Sequence, residues 1–243
     1  ETLPAAVAGL KTCGIRGFNL TMPNKNKIVE LLDELSPEAQ LIGAVNTVLN
    51  DNGKLIGYNT DGYGFMQSVR DAGHDITGKN ITVMGVGGAS MAICAQSALD
   101  GAASVHIFAR RTSRYWNRTQ KFAENLSAKT GCQVCLFDND DHTALRDSIA
   151  QSYLLINATS VGMVPDIDDT IIKDTSLFHP ELVVADVVYE PQETRLLREA
   201  KAAGCQTFNG MYMLLHQGAK AFQIWTGQEM PVSVIKEKYF SVK

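Results

Sequence analysis

Apolar and polar residues follow one rhythm up to about residue 78 and another after Asn80. Residues 3–12 have the spacing of a helix, and residues 15–20 that of a strand with Phe18 and Leu20 on one face. From Asn26 to Leu35, the apolar positions Ile28, Leu31, Leu32 and Leu35 predict a helix. Ser36-Pro37-Glu38 opens another short one, with serine as cap and proline at the first position. The stretch AVNTVLNDNGKLIGYN reads as a hairpin turning at Asp51-Asn52-Gly53. Thr60-Asp61-Gly62 then starts a helix that reaches about Ala72.

From Asn80 the segments ITVMG, SVHIFAR, CQVCLF, YLLIN and LVVADVV are apolar strands, and helical stretches follow all of them but YLLIN. Strands that are apolar on both faces and alternate with helices predict a parallel sheet covered on both sides. The expected architecture is α/β with two domains. A doubly wound, Rossmann-like parallel sheet occupies about residues 78–207, and the other domain combines residues 1–77 with 208–243. The final stretch is helical with no strand after it, so it is expected to pack back on the first domain. There is no internal repeat or low-complexity tract.

Composition narrows the function classes. The 243 residues are 45% hydrophobic and 20% charged, with net charge −4. That balance lacks the basic footprint of a nucleic-acid or anionic-membrane partner. No apolar run approaches the roughly 20 residues that span a bilayer. The start, ETLPAAVAGL, lacks the features of a signal peptide and reads like the inside of a helix, so a trimmed chain and a cytoplasmic location are expected. Five cysteines without framework spacing agree with reduced thiols; Cys132 and Cys135 form a lone CxxC that reads as a half-buried strand. His74, His106, His142, His179 and His216 show no metal-ligand spacing, and no metal is assigned.

In VMGVGGASMA, Gly85, Gly87 and Gly88 lie directly after a strand and before a helix. Glycines there allow a tight turn and close backbone approach to a diphosphate, which the helix N-terminus attracts. Ser90 stands in place of the usual third glycine. The alternative is a glycine-rich turn that binds nothing. The second strand ends about 20 residues later, where an acid would hold the ribose of NAD. Here the residues are Ala109-Arg110-Arg111-Thr112-Ser113-Arg114. Arginines pair with a 2′-phosphate, so NADP is favoured, with NAD the alternative. Earlier in the chain, GFNLTMPNK puts Lys25 where a helix begins, a place that favours acids. An ammonium at a positive helix end suits a group meant to give up its proton.

The motifs NLTMPNK, GAVNT, GYNTDG, GVGGAS, NATSVGM, DVVYEP and GMYMLLHQG occur in the order and spacing of shikimate dehydrogenases. The chain resembles most the quinate/shikimate dehydrogenase branch, which shares MPNK and the late WTG, and the resemblance covers nearly all of it. It implies that Lys25 is the catalytic lysine and Asp61 its partner. It also implies that Thr21 and Asn46 bind the substrate's ring hydroxyls, and that Tyr189 and Gln217 reach the substrate across the cleft. Gly85, Val86, Gly87, Gly88 and Ala89 match the pyrophosphate loop. Ala109 to Arg114 match a segment reading Asn-Arg-Thr-x-x-Arg in the NADP-using branch: Arg110 and Arg114 agree, while Ala109 and Arg111 depart. NAD-preferring members tend to carry an acid just after the second strand, where this chain has Thr112 and Ser113. Thr159, Val187 and Gly210 fall where the family lines the nicotinamide pocket; Thr159 reads equally as a strand-end cap. The first domain is then the substrate-binding, catalytic one. The family begins with a strand and helix bearing a Ser-x-Ser motif for the substrate carboxylate. That segment is not in this sequence, and an incomplete chain is expected.

The implied activity is reversible NAD(P)-dependent oxidation of shikimate to 3-dehydroshikimate, in aromatic amino acid and chorismate biosynthesis. The alternative within the class is quinate oxidation to 3-dehydroquinate; outside it, a non-catalytic dinucleotide-binding regulator. The partners expected are small molecules only, with the protein a monomer or a homodimer.

Overall fold

A computed structural model of the chain describes residues 2–240. Helix α1 (Leu3–Thr12) leads into strand β1 (Gly17–Asn19) and the one-turn helix α2 (Asn24–Lys27). Then follow β2 (Glu34–Leu35), α3 (Pro37–Ile42), the hairpin β3 (Thr47–Asp51) and β4 (Lys54–Tyr58), and α4 (Asp61–Asp71). The first sheet has the order β1-β3-β4-β2, antiparallel except where β2 joins β4 in parallel. At the hairpin, Asn52 and Gly53 both take positive φ, 52° and 92°, the conformation a two-residue turn demands. The Gly53 N–H donates to Asn50 Oδ1 at 2.8 Å and closes it.

The Asn26–Leu35 segment is not one helix. After α2 it tightens into a 3-10 turn over Ile28–Leu31, and Leu32 turns extended at φ −107°, ψ 145°. The reason is the open edge of β4. Asp33 donates its N–H to the Leu55 carbonyl at 2.9 Å and accepts the Leu55 N–H on its carboxylate at 2.7 Å; Ser36 donates to the Gly57 carbonyl at 2.8 Å. Ladder bonds at a sheet edge outweigh local helical spacing. Leu31, Leu32 and Leu35 still pack inward, on a core of Ile28, Val45, Val48 and Leu55. The next helix starts where expected: Ser36 Oγ accepts the Ala39 N–H, and Gly43 ends α3 at φ 66°.

The second sheet is built from β5 (Asn80–Met84), β6 (Ser104–Ala109), β7 (Gln133–Asp138), β8 (Leu154–Asn157), β9 (Val183–Asp186) and β10 (Gln206–Phe208). All its pairs are parallel, in the order β10-β9-β8-β5-β6-β7. The chain winds outward in both directions from β5, so the crevice at the carboxyl ends of β5 and β8 is the place where such sheets bind ligands. Helices α5 (Gly88–Leu99) and α6 (Trp116–Thr130) cover one face, packing Ala92, Phe122 and Leu126 on Val83 and Ile107. Helices α7 (His142–Gln151) and α8 (Arg195–Ala202) cover the other, where Ile149 and Leu196 meet Met84, Phe108 and Leu155. β10 was not expected: three residues with two polar ones carry no periodicity, and its partner β9 alone makes it a strand.

Helix α9 (Met211–Thr226) returns to the first sheet and packs along α4, and α10 (Val232–Ile235) follows. Gly64 permits the approach: a Cβ there would lie 2.7 Å from the Gln217 nitrogen and from the Met213 carbonyl oxygen. Trp225 of α9 donates its indole N–H to the Val48 carbonyl at 2.9 Å, over Gly17. The cysteines are free thiols, and burial pushes those of Cys132 and Cys94 up to about 11 and about 12. Among the described residues no helix is long and apolar enough to cross a membrane.

Candidate active site

The turn Thr21–Asn24 brings Lys25 to the end of the first sheet, and the Lys25 carbonyl is held by the Val45 N–H at 2.8 Å. Lys25 Nζ lies 2.7 Å from Asp61 Oδ2, the first residue of α4, with the two side chains only 17% and 11% exposed. A helix of four residues sums few peptide dipoles, so the electrostatics at Lys25 are set by this carboxylate rather than by a helix end. The other Asp61 oxygen, Oδ1, accepts from Asn46 Nδ2 at 2.8 Å. Asn46 is buried, and its own Oδ1 accepts the Thr60 N–H at 2.9 Å and the Thr47 hydroxyl at 2.9 Å. Asn59 completes the frame, with Oδ1 accepting the Asp61 N–H at 3.2 Å and Nδ2 donating to the Ala44 carbonyl at 3.0 Å. The motif NTDG therefore builds a hydrogen-bonded cradle around one carboxylate.

A cavity of about 480 Å³ opens on this cradle. Thr21, Lys25, Asn46 and Asp61 line it from the first sheet, Gln217 from α9, and Ala89, Val187, Tyr189 and Gly210 from the side of the second. All six residues expected at the substrate and the proton-transfer pair thus share one wall system with three of the residues expected at the cofactor. Gln217 Oε1 stands 3.5 Å from Asn46 Nδ2. A smaller cavity of about 260 Å³ adjoins it through Lys25; Val86, Gly87 and Gly88 form one side, and Arg118 and Tyr115 of the α6 end another.

The glycine turn has the shape a dinucleotide diphosphate needs. Gly85 takes φ 113° and sits so close to the end of β8 that a Cβ would lie 2.8 Å from Thr159 Cγ2. At Gly87 and Gly88 a Cβ would meet nothing within 4 Å, which leaves open space in front of the α5 N-terminus. Gly210 lets its segment press on Val187, where a Cβ would come 2.1 Å from the carbonyl oxygen. Thr159 lines neither cavity. Its hydroxyl donates to Asn157 Oδ1 at 2.6 Å, the bond of a strand-end cap. Ala109, Arg110, Arg111 and Arg114 stand at the end of β6 and in the turn after it, also outside both cavities.

Asp186 escaped the sequence reading. It is fully buried at the end of β9 and accepts the Asn157 Nδ2 at 3.0 Å, the Val188 N–H at 2.9 Å and the Thr194 hydroxyl at 2.8 Å. Burial pushes its pKa up while these donors pull it down. It fixes the start of the segment that carries Val187 and Tyr189 into the cavity. A single acid inside VVADVV gave no periodic signal.

A glycine turn at the crevice of a parallel sheet, sharing a cavity with a lysine–carboxylate pair held by α2 and α4, defines a dinucleotide-dependent oxidoreductase. Comparisons with known proteins give the family. Residues 1–48 match the shikimate dehydrogenase substrate binding domain, and residues 210–238 the shikimate 5′-dehydrogenase C-terminal domain. Shikimate dehydrogenase (NADP(+)) of Listeria innocua is 51% identical over 240 residues, 99% of this chain and 82% of that protein. Quinate/shikimate dehydrogenase of Escherichia coli is 42% identical over 237 residues, 98% of this chain and 82% of the relative. The crystal structure of Listeria monocytogenes shikimate 5-dehydrogenase in complex with shikimate and NAD superposes with a TM-score of 0.94 at 50% identity, covering 97% of this chain and 81% of that one. The chain belongs to the shikimate dehydrogenase family.

Proposed function

We propose that the protein catalyses reversible oxidation of shikimate to 3-dehydroshikimate with NADP or NAD, as a step of the shikimate pathway. The observation that carries this reading is the Lys25–Asp61 pair at 2.7 Å, set in one cavity with Thr21, Asn46, Tyr189 and Gln217. A bound nicotinamide dinucleotide supplies the hydride acceptor for oxidation and the hydride donor for reduction. Lys25 Nζ takes the proton of the reacting hydroxyl in oxidation and returns it to the ketone oxygen in reduction. Asp61 accepts a hydrogen bond from that nitrogen throughout and so aims it. Thr21, Asn46, Tyr189 and Gln217 supply the donors and acceptors that a polyol acid requires. Gly85–Ala89 and the start of α5 would hold the diphosphate, with Val187 and Gly210 beside the nicotinamide. In this reading, residues 1–77 with 208–243 form the substrate unit and 78–207 the cofactor unit.

The test is an initial-rate grid of shikimate and quinate, each with NAD and NADP, on the wild type and Lys25→Ala. Shikimate turnover that is lost in the variant supports the reading. Turnover confined to quinate would replace the substrate while keeping the pair. Absence of turnover with every combination would overturn the assignment.

A further inference from the structure

Asp138 ends β7, and the strand register sets it opposite Ala109, the last residue of β6. Its Oδ1 accepts the backbone N–H of Arg111 at 3.3 Å and that of Asp140 at 3.2 Å. Beside it, the Asn139 N–H donates to the Ala109 carbonyl at 2.9 Å. The end of β7 therefore grips both sides of the corner Ala109-Arg110-Arg111. Asp138 Oδ2 takes no hydrogen bond from the described residues, and the side chain is half-buried rather than enclosed.

In a dinucleotide fold this corner meets the adenosine ribose, where an acid accepts from a 2′-hydroxyl and basic groups take a 2′-phosphate. The corner itself carries no acid. Two arginines at or just past it lie against aromatic rings: the Arg111 guanidinium lies 4.6 Å from the Trp116 ring centroid, and Arg114 lies 4.8 Å from that of Tyr115 and donates to its hydroxyl at 2.7 Å. A phosphate with about two negative charges seeks backbone N–H donors and free guanidinium edges. The Arg111 N–H is instead occupied by a carboxylate, whose charge repels a phosphate there.

We propose, on the reading that this corner receives the adenosine half of the cofactor, that Asp138 is a specificity-determining residue for the choice between NAD and NADP. From the neighbouring strand it supplies the acid that the corner lacks. Its carboxylate accepts from the ribose of NAD and opposes the 2′-phosphate of NADP, so it holds the preference for NADP below what Arg110, Arg111 and Arg114 alone would give.

The test uses Asp138→Asn, which removes the charge and keeps an oxygen for the Arg111 N–H. Dissociation constants for NAD and NADP are measured by calorimetry, without substrate, on wild type and variant. The expected result is a shift of the NADP-to-NAD affinity ratio toward NADP of roughly tenfold, about the size of one charged hydrogen bond. An unchanged ratio overturns the proposal, as does an equal loss of both affinities, which would make Asp138 a loop anchor only. Asp138→Ser, read the same way, serves if the asparagine variant does not fold. Because the readout is binding, failure to turn over shikimate would overturn the proposed reaction and leave this test standing. A wild type that binds neither dinucleotide overturns both.

Discussion

Asn46 Nδ2 donates to Asp61 Oδ1 at 2.8 Å, on the carboxylate oxygen that Lys25 leaves free. The orientation of the amide is fixed from its other end, because Asn46 Oδ1 accepts the Thr60 N–H at 2.9 Å. Asn46 therefore aims the carboxylate as well as facing the cavity. Asn46→Ala should lower kcat for shikimate by about 100-fold, within the span of a misplaced acid–base group, and lower stability by about 1–3 kcal/mol through unpaired buried groups. The Michaelis constant for the dinucleotide should stay within about twofold, since a change confined to the cradle leaves cofactor binding alone. Steady-state rates with saturating cofactor, plus thermal unfolding, check both parts. Equal losses for both ligands would contradict the local role.

Lys25→Arg separates charge from proton transfer. The guanidinium keeps a cation beside Asp61, so the pair and the fold survive, but it stays protonated at every working pH. The expected outcome is a kcat lower by about 10²- to 10⁴-fold, with shikimate binding retained within about tenfold. A binding titration beside the rate assay reads the difference. Near-wild-type turnover would remove Lys25 from the proton transfer.

Gly64 is the contact point of α4 and α9. A methyl there would stand 2.7 Å from main-chain atoms of Met213 and Gln217, and main chain in a packed helix does not step aside. Gly64→Ala should destabilise the protein by about 1–3 kcal/mol despite the better helix propensity of alanine. Because Gln217 rides on the displaced turn, the Michaelis constant for shikimate should rise more than kcat falls. Chemical denaturation and steady-state kinetics test the two effects together.

Burial lowers the pKa of His74, His106 and His216; at His216 the contact with Asp71, 2.9 Å away, partly offsets it. Each folded pKa lies below the unfolded value of 6.5. Between the two values the unfolded chain binds more protons, so stability falls as pH drops below 6.5 and is level above it on this account. Each histidine contributes at most about 1.4 kcal/mol per pH unit, and at this chain length about 1 kcal/mol moves the melting midpoint by 2–4 °C. Melting scans at about pH 7.5, 6.5 and 5.5 should show the midpoint fall mainly in the lower interval. A midpoint that rises on acidification would contradict the assignment.

The parallel sheet was readable because strands such as ITVMG and YLLIN are apolar on both faces, and that pattern has few other solutions. The edges were not. Glu34–Leu35 and Gln206–Phe208 are strands only because β4 and β9 offer them partners, and local spacing said helix for the first and nothing for the second. The site divides the same way. Lys25 and Asp61 were singled out through motif resemblance, since chemistry alone leaves a lysine after a turn ambiguous. The double engagement of Asp61, and the carboxylate of Asp138 reaching across from β7, depend on register between segments far apart in the chain.

Asp186 follows that rule as well, and its loss should be felt at the site. Its carboxylate satisfies donors from Asn157, Val188 and Thr194, tying the end of β8 and the start of α8 to the segment that bears Tyr189. Asp186→Ala strands these buried donors, each worth about 1–3 kcal/mol when left unpaired. Asp186→Asn keeps one acceptor but turns an amide N–H toward groups that already donate. Both variants should therefore lower stability, the alanine by about 3 kcal/mol or more. Tyr189 is exposed and lines the cavity, so freeing its segment should raise the Michaelis constant for shikimate by about tenfold while Lys25 and Asp61, held by α2 and α4, keep their geometry. Denaturation curves and rates measured below the melting midpoint separate the two losses. An alanine variant of unchanged stability would mean that the three donors find other partners.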